Sequence, residues 1–504
     1  MARKKVDQPT EEAARQELLS LDAAAAALGV SRSTLTRWLS EGRVKGFKAG
    51  RQWRFRRSDL DKFSLMAHPS AAAVNVAEFE AAIAGLGVPE SERVGMTTDP
   101  ALPNYPNTEE EIAVENLFLA LLANAVNAGA SDVHFDAAQE GCIIRTRIDG
   151  VLHETVRLPR SAHRALVTCA KYHADLTVDQ PAVNHDGLFR LQLLGESYHV
   201  RVASIPALYG ESVAMRVLPQ SYQIGSLDSI GMHDDDKSRY LRAVKSPNGL
   251  VLVTGPSGSG KTTVMYAGLQ RIVKPEIKTF SIEDPVIAVL PWVTQVPVNR
   301  KAGMTFEHLQ RALTRQDPDV IMVGGVDSLA VAEGCLQHAL IGHLVLTTLH
   351  ANSAASAVTR LLDMGIEPFM LAESLLCIVG ARLARKVCPQ CAEPDEPAFG
   401  VLSPFAERAR AGGYVLPDNP KFMRGRGCDH CRGTGHRGRV GLYEVMEMDD
   451  DLCRMVMERA PAKALQEAAV KKGMTTLAAD GLRKAVEGIT SVFEAVRVTH
   501  TTEG

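Results

Sequence analysis

The sequence predicts an α/β protein whose largest part contains a mostly parallel sheet. After residue 248, short and almost entirely apolar segments alternate with helical periodicity, which is typical of strands buried on both faces of a parallel sheet. Over residues 110–220, apolar and polar side chains alternate singly, which predicts antiparallel strands with one buried face. A compact basic stretch at residues 18–64 precedes both regions. We therefore expect an α/β core, a smaller α/β domain before it, and a separate domain at the amino terminus.

Length and composition are those of a globular protein with several domains. The chain has 504 residues, 45% of them hydrophobic, and a net charge of −3. It has no uncharged apolar run of transmembrane length, and no apolar stretch follows the charged amino terminus, which argues against a secretory signal. Nine cysteines in such a chain favour metal ligands or buried thiols over disulfides. These features predict a cytoplasmic protein, with peripheral attachment to the inner face of the plasma membrane left open.

Changes in composition divide the chain into four segments. The second is rich in Ala, Pro and Ser and is interpreted as a linker with one helix near residues 76–86. The fourth contains an insertion with four cysteines at residues 385–445. The predicted segments are an amino-terminal domain (1–64), the linker (65–109), an α/β domain (110–220) and a nucleotide-binding domain (221–504).

A phosphate-binding loop occupies residues 255–262. Its sequence, Gly-Pro-Ser-Gly-Ser-Gly-Lys-Thr, fits G-x-x-x-x-G-K-[ST] and lies between a predicted strand and a predicted helix. In such a loop, backbone N–H groups surround the phosphates, Lys261 reaches the β- and γ-phosphates, and Thr262 holds Mg²⁺. The sequence therefore predicts binding of ATP with Mg²⁺. The predicted ligand-binding residues are Gly255, Pro256, Ser257, Gly258, Ser259, Gly260, Lys261, Thr262 and Thr263.

Two C-x-x-C pairs predict a structural zinc site. Cys388 and Cys391 form one pair, Cys428 and Cys431 form the other, and 36 residues separate the pairs. Four thiolates complete a tetrahedral Zn²⁺ site, and glycines around the second pair permit the necessary turns. A redox dithiol and an iron–sulfur cluster are the alternatives. The other cysteines stand singly in apolar segments and are expected to be inert core residues: Cys142, Cys169, Cys335, Cys377 and Cys453.

The amino-terminal domain resembles excisionase and MerR-type winged helix-turn-helix modules. Gly29 falls at the expected turn, Ser31 is a candidate N-cap, and residues 34–39 would begin the recognition helix. Residues 31–57 contain nine lysines and arginines but a single acid. This excess favours DNA binding, while docking of a protein partner and an ordinary solvated basic face remain open. The candidate DNA contacts are Arg32, Arg37, Arg51 and Arg54.

Several ordered motifs resemble the type II secretion and type IV pilus assembly ATPases of the GspE/PilB type. SIEDP at 281–285, DPDVIMVG at 317–324 and GHLVLTTLHAN at 342–352 follow the phosphate loop in that family's order. The upstream segments GASDVHF, RTRIDGVLHE and RVASIPALYGESVAMRVL extend the resemblance back to about residue 110. The resemblance implies a RecA-like core preceded by a sensory-like α/β domain. It also implies a homo-hexameric ring that works with inner-membrane platform proteins.

The same resemblance implies the catalytic set. Arg201 and Arg216 stand where that family brings arginines to the phosphates, a task that suits the two-pronged guanidinium. Glu283 is the remaining candidate to polarise the attacking water. The catalytic residues implied are Glu283, Asp284, His350, Arg201 and Arg216.

The sequence departs from the family pattern at the positions that serve hydrolysis. The family's Gly-Glu-Ile-Arg-Asp is here Gly-Gly-Val-Asp-Ser at residues 324–328, so Gly325 replaces an acid and Asp327 replaces an arginine. Ile287 replaces a glutamate, and the upstream Pro-Gln-Asp-Gly-Arg has become Asn-His-Asp-Gly-Leu at residues 184–188. Phosphoryl transfer depends on such groups. The sequence therefore predicts ATP binding with weakened turnover, and leaves a DNA-binding regulator with a degenerate, nucleotide-controlled core as the alternative function.

Overall fold

The computed structural model forms two compact units, residues 1–221 and 222–504, which are described separately. No helix in the described ranges is both long and apolar enough to cross a membrane. The structure describes residues 18–27, 35, 39, 44, 46–49, 52–56, 76–87, 108–178, 183–193, 195–219 and 225–500.

The amino-terminal domain contains a small antiparallel sheet in the order β1-β3-β2. Its elements are β1 (Leu18–Ser20), α1 (Leu21–Ala27), β2 (Phe47–Ala49) and β3 (Gln52–Arg56). Ala49 pairs with Gln52, so β2 and β3 are adjacent antiparallel strands. Arg54 lies in β3, whereas the predicted contacts Arg32, Arg37 and Arg51 fall outside the described residues.

A helix within the segment interpreted as a linker packs into the core of the first unit. This helix, α2 (Val76–Gly85), buries Phe79 and Ile83 in the same apolar cluster as α3 (Glu109–Asn127). The side-chain amide of Asn124 in α3 donates a hydrogen bond of 3.0 Å to the Leu86 carbonyl. Residues 76–86 are therefore a packed helix, because two large apolar side chains on one face need a partner surface.

The rest of the first unit is an antiparallel sheet covered by two helices. The strand order is β6-β5-β4-β9-β8-β7, and α3 shares one hydrophobic core with α4 (Arg160–His173) and the sheet. Single alternation along the strands places every second side chain in this core. The strands are β4 (Ala130–Ala138), β5 (Gly141–Ile148), β6 (Val151–Leu158), β7 (His185–Leu193), β8 (Glu196–Ala207) and β9 (Gly210–Pro219).

The second unit is built on a seven-stranded sheet in the order β12-β11-β13-β14-β10-β15-β18. Its neighbours are parallel except for β15 and β18, which are antiparallel. Alternate residues of β10 enter separate apolar cores on the two faces of the sheet. The strands are β10 (Gly249–Thr254), β11 (Thr279–Glu283), β12 (Val293–Pro297), β13 (Val320–Val323), β14 (Leu344–Leu349), β15 (Leu375–Val387) and β18 (His436–Glu447).

Helices pack against this sheet, and a two-stranded antiparallel sheet lies in the cysteine-containing insertion. Its strands are β16 (Ala392–Asp395) and β17 (Phe422–Gly425). The first six helices of this unit are α5 (Asp234–Val244), α6 (Lys261–Leu269), α7 (Phe306–Leu313), α8 (Leu329–Leu340), α9 (Ala354–Asp363) and α10 (Pro368–Ser374). The remaining helices are α11 (Phe399–Ala411), α12 (Asp450–Met457), α13 (Ala462–Lys471), α14 (Leu477–Val486) and α15 (Val492–Thr499).

Candidate functional site

The phosphate loop connects β10 to the amino terminus of α6. Gly258 and Gly260 have φ values of 74° and 91°, a left-handed conformation that glycine adopts without a steric penalty. A Cβ added at Gly255 would lie 2.5 Å from the Ala381 carbonyl oxygen, so a larger residue does not fit there. The hydroxyl of Ser259 is buried and has no hydrogen-bond partner. The loop thus combines a curled backbone, a helix amino terminus and an unsatisfied donor, which fits a polyphosphate ligand.

Lys261 has no acidic partner in the described structure. Its Nζ atom donates to the carbonyls of Gly255 at 2.8 Å and Pro256 at 2.9 Å, and lies 3.5 Å from Nδ1 of His350. Burial, and then the nearby charge of Arg382, lowers the pKa of Lys261 to about 8. Weak neutral partners and a depressed pKa both mean that an anion bound here would stabilise the charged lysine.

The structure brings His350 to the phosphate loop from the adjacent strand. His350 directly follows β14, which pairs in parallel with β10. The hydroxyl of Thr254 donates to the carbonyls of Leu349 and Ala351 at 3.1 and 3.3 Å, which ties the ends of these strands together. Burial and the charge of Lys261 lower the pKa of His350, while a contact with the Gly255 carbonyl opposes this. His350 and Lys261 are therefore neighbours at the carboxyl edge of the sheet.

Glu283 is enclosed in a hydrogen-bond network. Its side chain is buried at the end of β11, with 2% of the residue exposed. One carboxylate oxygen accepts a hydrogen bond from the Tyr266 hydroxyl of α6. The other accepts from Ser281 at 2.5 Å and from the Gln295 amide at 2.9 Å. The geometry fixes this carboxylate firmly against the helix that begins at the phosphate loop, and its role in polarising water stays a prediction.

Asp284 and Asp327 share one arginine. Nη2 of Arg300 lies 3.5 Å from a carboxylate oxygen of Asp284 and 3.6 Å from one of Asp327. These acids follow β11 and β13, which are adjacent parallel strands, so both stand at the same edge of the sheet. Gly325 lies beside them, and a Cβ added there would have the Thr348 hydroxyl, at 3.4 Å, as its nearest contact among the described residues. A Cβ is therefore tolerated at position 325.

Arg201 and Arg216 lie opposite each other in the first unit. They are direct cross-strand partners in β8 and β9, so their side chains emerge on one face of the sheet. Arg201 makes two hydrogen bonds to Asp186, of 3.2 and 2.7 Å, and Arg216 makes one of 2.8 Å to Asp132. Because each arginine is paired with its own aspartate, the two positive charges can lie side by side.

The two cysteine pairs converge on one point in the described structure. The four Sγ atoms lie within 4.8 Å of one another. Separations are 3.9 Å for Cys388–Cys428, 3.8 Å for Cys391–Cys431 and 3.7 Å for Cys428–Cys431. Zn–S bonds of ~2.3 Å in a tetrahedron require sulfur separations of about 3.8 Å, whereas a disulfide requires about 2 Å. The residues present therefore fit a tetrahedral metal ion.

Backbone donors support thiolate character in this cluster. The N–H groups of Cys428 and Gly435 each donate to Sγ of Cys431 at 3.2 Å. Burial opposes ionisation of Cys431, but these donors outweigh it and hold the pKa of its thiol below the usual value. Metals bind the deprotonated thiolate.

Cys169 is buried in the core, as the sequence predicted, but it has polar partners there. Its thiol donates a hydrogen bond of 3.2 Å to Glu115, and His173 lies 3.0 Å from both oxygens of the same carboxylate. Burial raises the pKa of the Cys169 thiol well above its usual value. The two helices α3 and α4 bring these three side chains together, and sequence spacing gave no sign of this because Glu115 is remote along the chain.

No sequence motif includes Arg382, which lies in β15, the strand that pairs with β10 next to the phosphate loop. Its side chain is buried and its Nη2 donates a hydrogen bond of 2.7 Å to the Asn352 carbonyl. The residue stands in a mostly apolar strand, LLCIVGARLARKV, outside the motifs used to predict the site. Its position next to the loop arises from the pairing of β15 with β10.

The parallel sheet, the curled glycine loop and the lysine at the start of α6 define a P-loop protein with a RecA-like core. Residues 107–497 match the family described as Type II/IV secretion system protein, and residues 18–63 match a helix-turn-helix domain. The chain belongs to the type II/IV secretion system protein family.

Two relatives agree with this assignment, and a solved structure shares the fold. The Type II secretion system ATPase E of Vibrio cholerae is 38% identical over 393 residues, covering 78% of this chain and 76% of that protein. The type IV pilus assembly ATPase PilB of Pseudomonas aeruginosa is 39% identical over 381 residues, covering 75% of this chain and 66% of that protein. The crystal structure of the pilus retraction motor PilT with bound ADP has a TM-score of 0.52 at 23% identity, over 76% of this chain and 96% of that one. The last likeness shows the fold alone.

Proposed function

We propose that this protein is an ATPase that drives a type II secretion or type IV pilus-like machine. The observation that carries the proposal is the complete phosphate loop. Among the described residues, Lys261 has only carbonyl and imidazole partners there and can therefore meet a polyphosphate. Family membership and the names of both relatives support the transport role over the DNA-binding regulator considered from sequence.

Within this function, the loop binds ATP and Thr262 holds Mg²⁺. Glu283, fixed between α6 and β12, orients the attacking water, and Asp284 and His350 complete the edge of the site. Gly325 supplies no carboxylate, so hydrolysis is slow. Measurement of ATP binding and turnover with the purified full chain tests this proposal. A protein that binds neither ATP nor ADP in the presence of Mg²⁺ would contradict it.

We further propose that six copies form a ring at the cytoplasmic face of the inner membrane, against the machine's platform proteins. In this ring, Arg201 and Arg216 of one subunit approach the phosphates held by a neighbour. Their common face and adjacent positions support a joint role. Light scattering with and without ATP measures the molar mass of the assembly. A protein that stays monomeric with ATP at micromolar concentration would argue against the ring.

The four-cysteine cluster is proposed to hold one structural Zn²⁺ per chain. Its sulfur separations support this, since four protein thiolates leave no coordination position for substrate. Elemental analysis should find one zinc per chain, and Cys391→Ser should lose it together with thermal stability. Iron in its place, or no metal in freshly purified protein, would exclude the zinc proposal.

Residues 18–63 carry a second candidate activity, DNA binding. The helix-turn-helix match and the strand that bears Arg54 support it. Binding of the full chain to duplex DNA should then weaken steeply with salt, because each phosphate contact releases a counterion. Arg37→Ala with Arg54→Ala should weaken it further. Absence of salt-sensitive binding at low ionic strength would favour a protein-docking role.

A further inference from the structure

Strand β15 passes directly beneath the phosphate loop. Thr254, the last residue of β10, pairs with Gly380 of β15. A Cβ added at Gly255 would lie 2.5 Å from the Ala381 carbonyl oxygen, and one added at Gly260 would lie 3.6 Å from the Leu383 side chain. The backbone of Arg382 therefore lies between two points at which β15 touches the loop, and its side chain points to the other face of the sheet from that of Leu383.

Among the described residues, no carboxylate forms an ion pair with the buried guanidinium of Arg382. The residue is 8% exposed, and its donors reach the carbonyls of Ala381 at 3.1 Å and Asn352 at 2.7 Å. The carboxylate of Glu444 attracts Arg382 from a distance, while its oxygens accept hydrogen bonds from the backbone N–H groups of Ala354 at 2.6 Å and Leu477 at 3.3 Å. Burying a charge costs free energy, and an opposite charge that makes no direct contact offsets only part of that cost.

A polyphosphate in the loop would add opposite charge close to both cations. Lys261 and Arg382 are close enough that the charge of the arginine, after burial, contributes to the lowered pKa of the lysine. Burial limits screening by water, so the field of Arg382 extends to the loop above it. The hydrogen bond to Asn352 also fixes the backbone just after His350.

We propose that Arg382 is a positioning residue that acts on the ATP phosphates through the loop, as a fixed positive charge favouring the more highly charged nucleotide. It also holds residues 350–352 against β15. This inference rests on the proposed ATP binding and extends it, because neither the phosphate-loop motif nor the flanking motifs include this residue.

The test separates the charge of Arg382 from its hydrogen bond. Arg382→Lys keeps the charge and loses the planar fork, whereas Arg382→Gln keeps a donor for the Asn352 carbonyl and loses the charge. Calorimetry with the full chain gives the affinities for ATP and ADP in the presence of Mg²⁺. Arg382→Gln should weaken ATP binding about tenfold and ADP binding about threefold, the size expected for loss of one charge-assisted interaction. Arg382→Lys should keep most of the preference for ATP.

Arg385→Gln is the matched control. Arg385 lies on the same strand, but its guanidinium binds Glu494 at 2.8 Å, so its loss should lower the melting temperature without changing the ratio of ATP to ADP affinity. Equal weakening of ATP and ADP by Arg382→Gln, or identical behaviour of the Lys and Gln variants, overturns the inference while leaving ATP binding intact. Failure of the unmodified protein to bind nucleotide would overturn the proposed function, and this inference with it.

Discussion

The phosphate loop and the acidic edge formed by the carboxyl ends of β11 and β13 are the two parts of the proposed nucleotide site, and they are built in different ways. The loop depends on the backbone of a single eight-residue segment, on glycine conformation and on Lys261. The acidic edge depends on side chains from separate strands. There Glu283 is held by three donors, Asp284 and Asp327 share Arg300, and position 325 has no side chain.

This difference explains how binding and hydrolysis can change independently. Backbone N–H groups hold phosphates whatever the neighbouring strands carry, so changes at residues 324–328 leave the loop intact. Water activation instead needs an acid at a defined point, and one replacement removes it. We therefore expect substitutions in the phosphate loop to change nucleotide affinity strongly, and substitutions at the acidic edge to change ATP turnover.

The largest effect is expected from the loop. Lys261→Ala should weaken ATP binding by at least about a hundredfold, because it removes the cation that meets the β- and γ-phosphates, and charge-assisted hydrogen bonds contribute most to such sites. Calorimetric titration of ATP measures the change. The exposed residue Lys245 at the end of α5 provides the control, since Lys245→Ala should bind normally. Near-normal affinity of Lys261→Ala would mean that the loop does not hold the phosphates.

Restoring an acid at the edge should give the next largest effect. Gly325→Glu should raise ATP turnover by at least about tenfold, since a positioned acid or base typically contributes about 10²–10⁴-fold. A Cβ at position 325 fits, since its nearest contact is the Thr348 hydroxyl at 3.4 Å. Gly325→Gln, equal in size and uncharged, should not raise turnover. An unmodified protein that already hydrolyses ATP as fast as Gly325→Glu would show that Asp284 or Asp327 has taken this role.

Nucleotide affinity should fall at alkaline pH. The pKa of Lys261 in the free protein is lowered to about 8, so the lysine is charged below pH 8 and loses its proton above it. Phosphates stabilise the charged form, so binding above pH 8 takes up a proton and weakens by at most about tenfold per pH unit. Calorimetric titrations between pH 7 and 9.5, in buffers of different ionisation enthalpy, measure both the nucleotide affinity and the number of protons taken up. Constant affinity with no proton uptake would contradict the depressed pKa.

The smallest effect concerns the arginine shared by the acids. Arg300 is 63% exposed at its side chain, and both its ion pairs are long, so each should contribute only about 0.2–1 kcal/mol. Urea unfolding of Arg300→Met, Asp327→Asn and the double variant gives the coupling free energy. A coupling of zero would mean that Asp327 and Arg300 act independently at this edge. Arg454→Met, which breaks an exposed pair on α12, is the control and should show no coupling to Asp327→Asn.

Much of the fold followed from patterns that are local in the chain. Continuous apolar runs indicated the parallel sheet, and single alternation indicated the antiparallel one, because these periods reflect how many faces of a strand are buried. The packing of the segment before residue 110 could not be predicted from local pattern, because the apolar face of α2 is buried only by its contact with α3. In the same way, Cys169 looked like an isolated core residue until α3 brought Glu115 to it.

The sequence by itself determined the phosphate loop and the set of four cysteines, because in both cases the chemistry is carried by residues at short and fixed spacing. It also revealed that position 325 lacks an acid. Only the tertiary structure decided that Glu283 is enclosed by Tyr266 and Gln295, that Arg300 lies between two acids, and that Arg382 underlies the loop. Those contacts join residues far apart in the chain, and their geometry is set by strand order and helix packing, which no local pattern encodes.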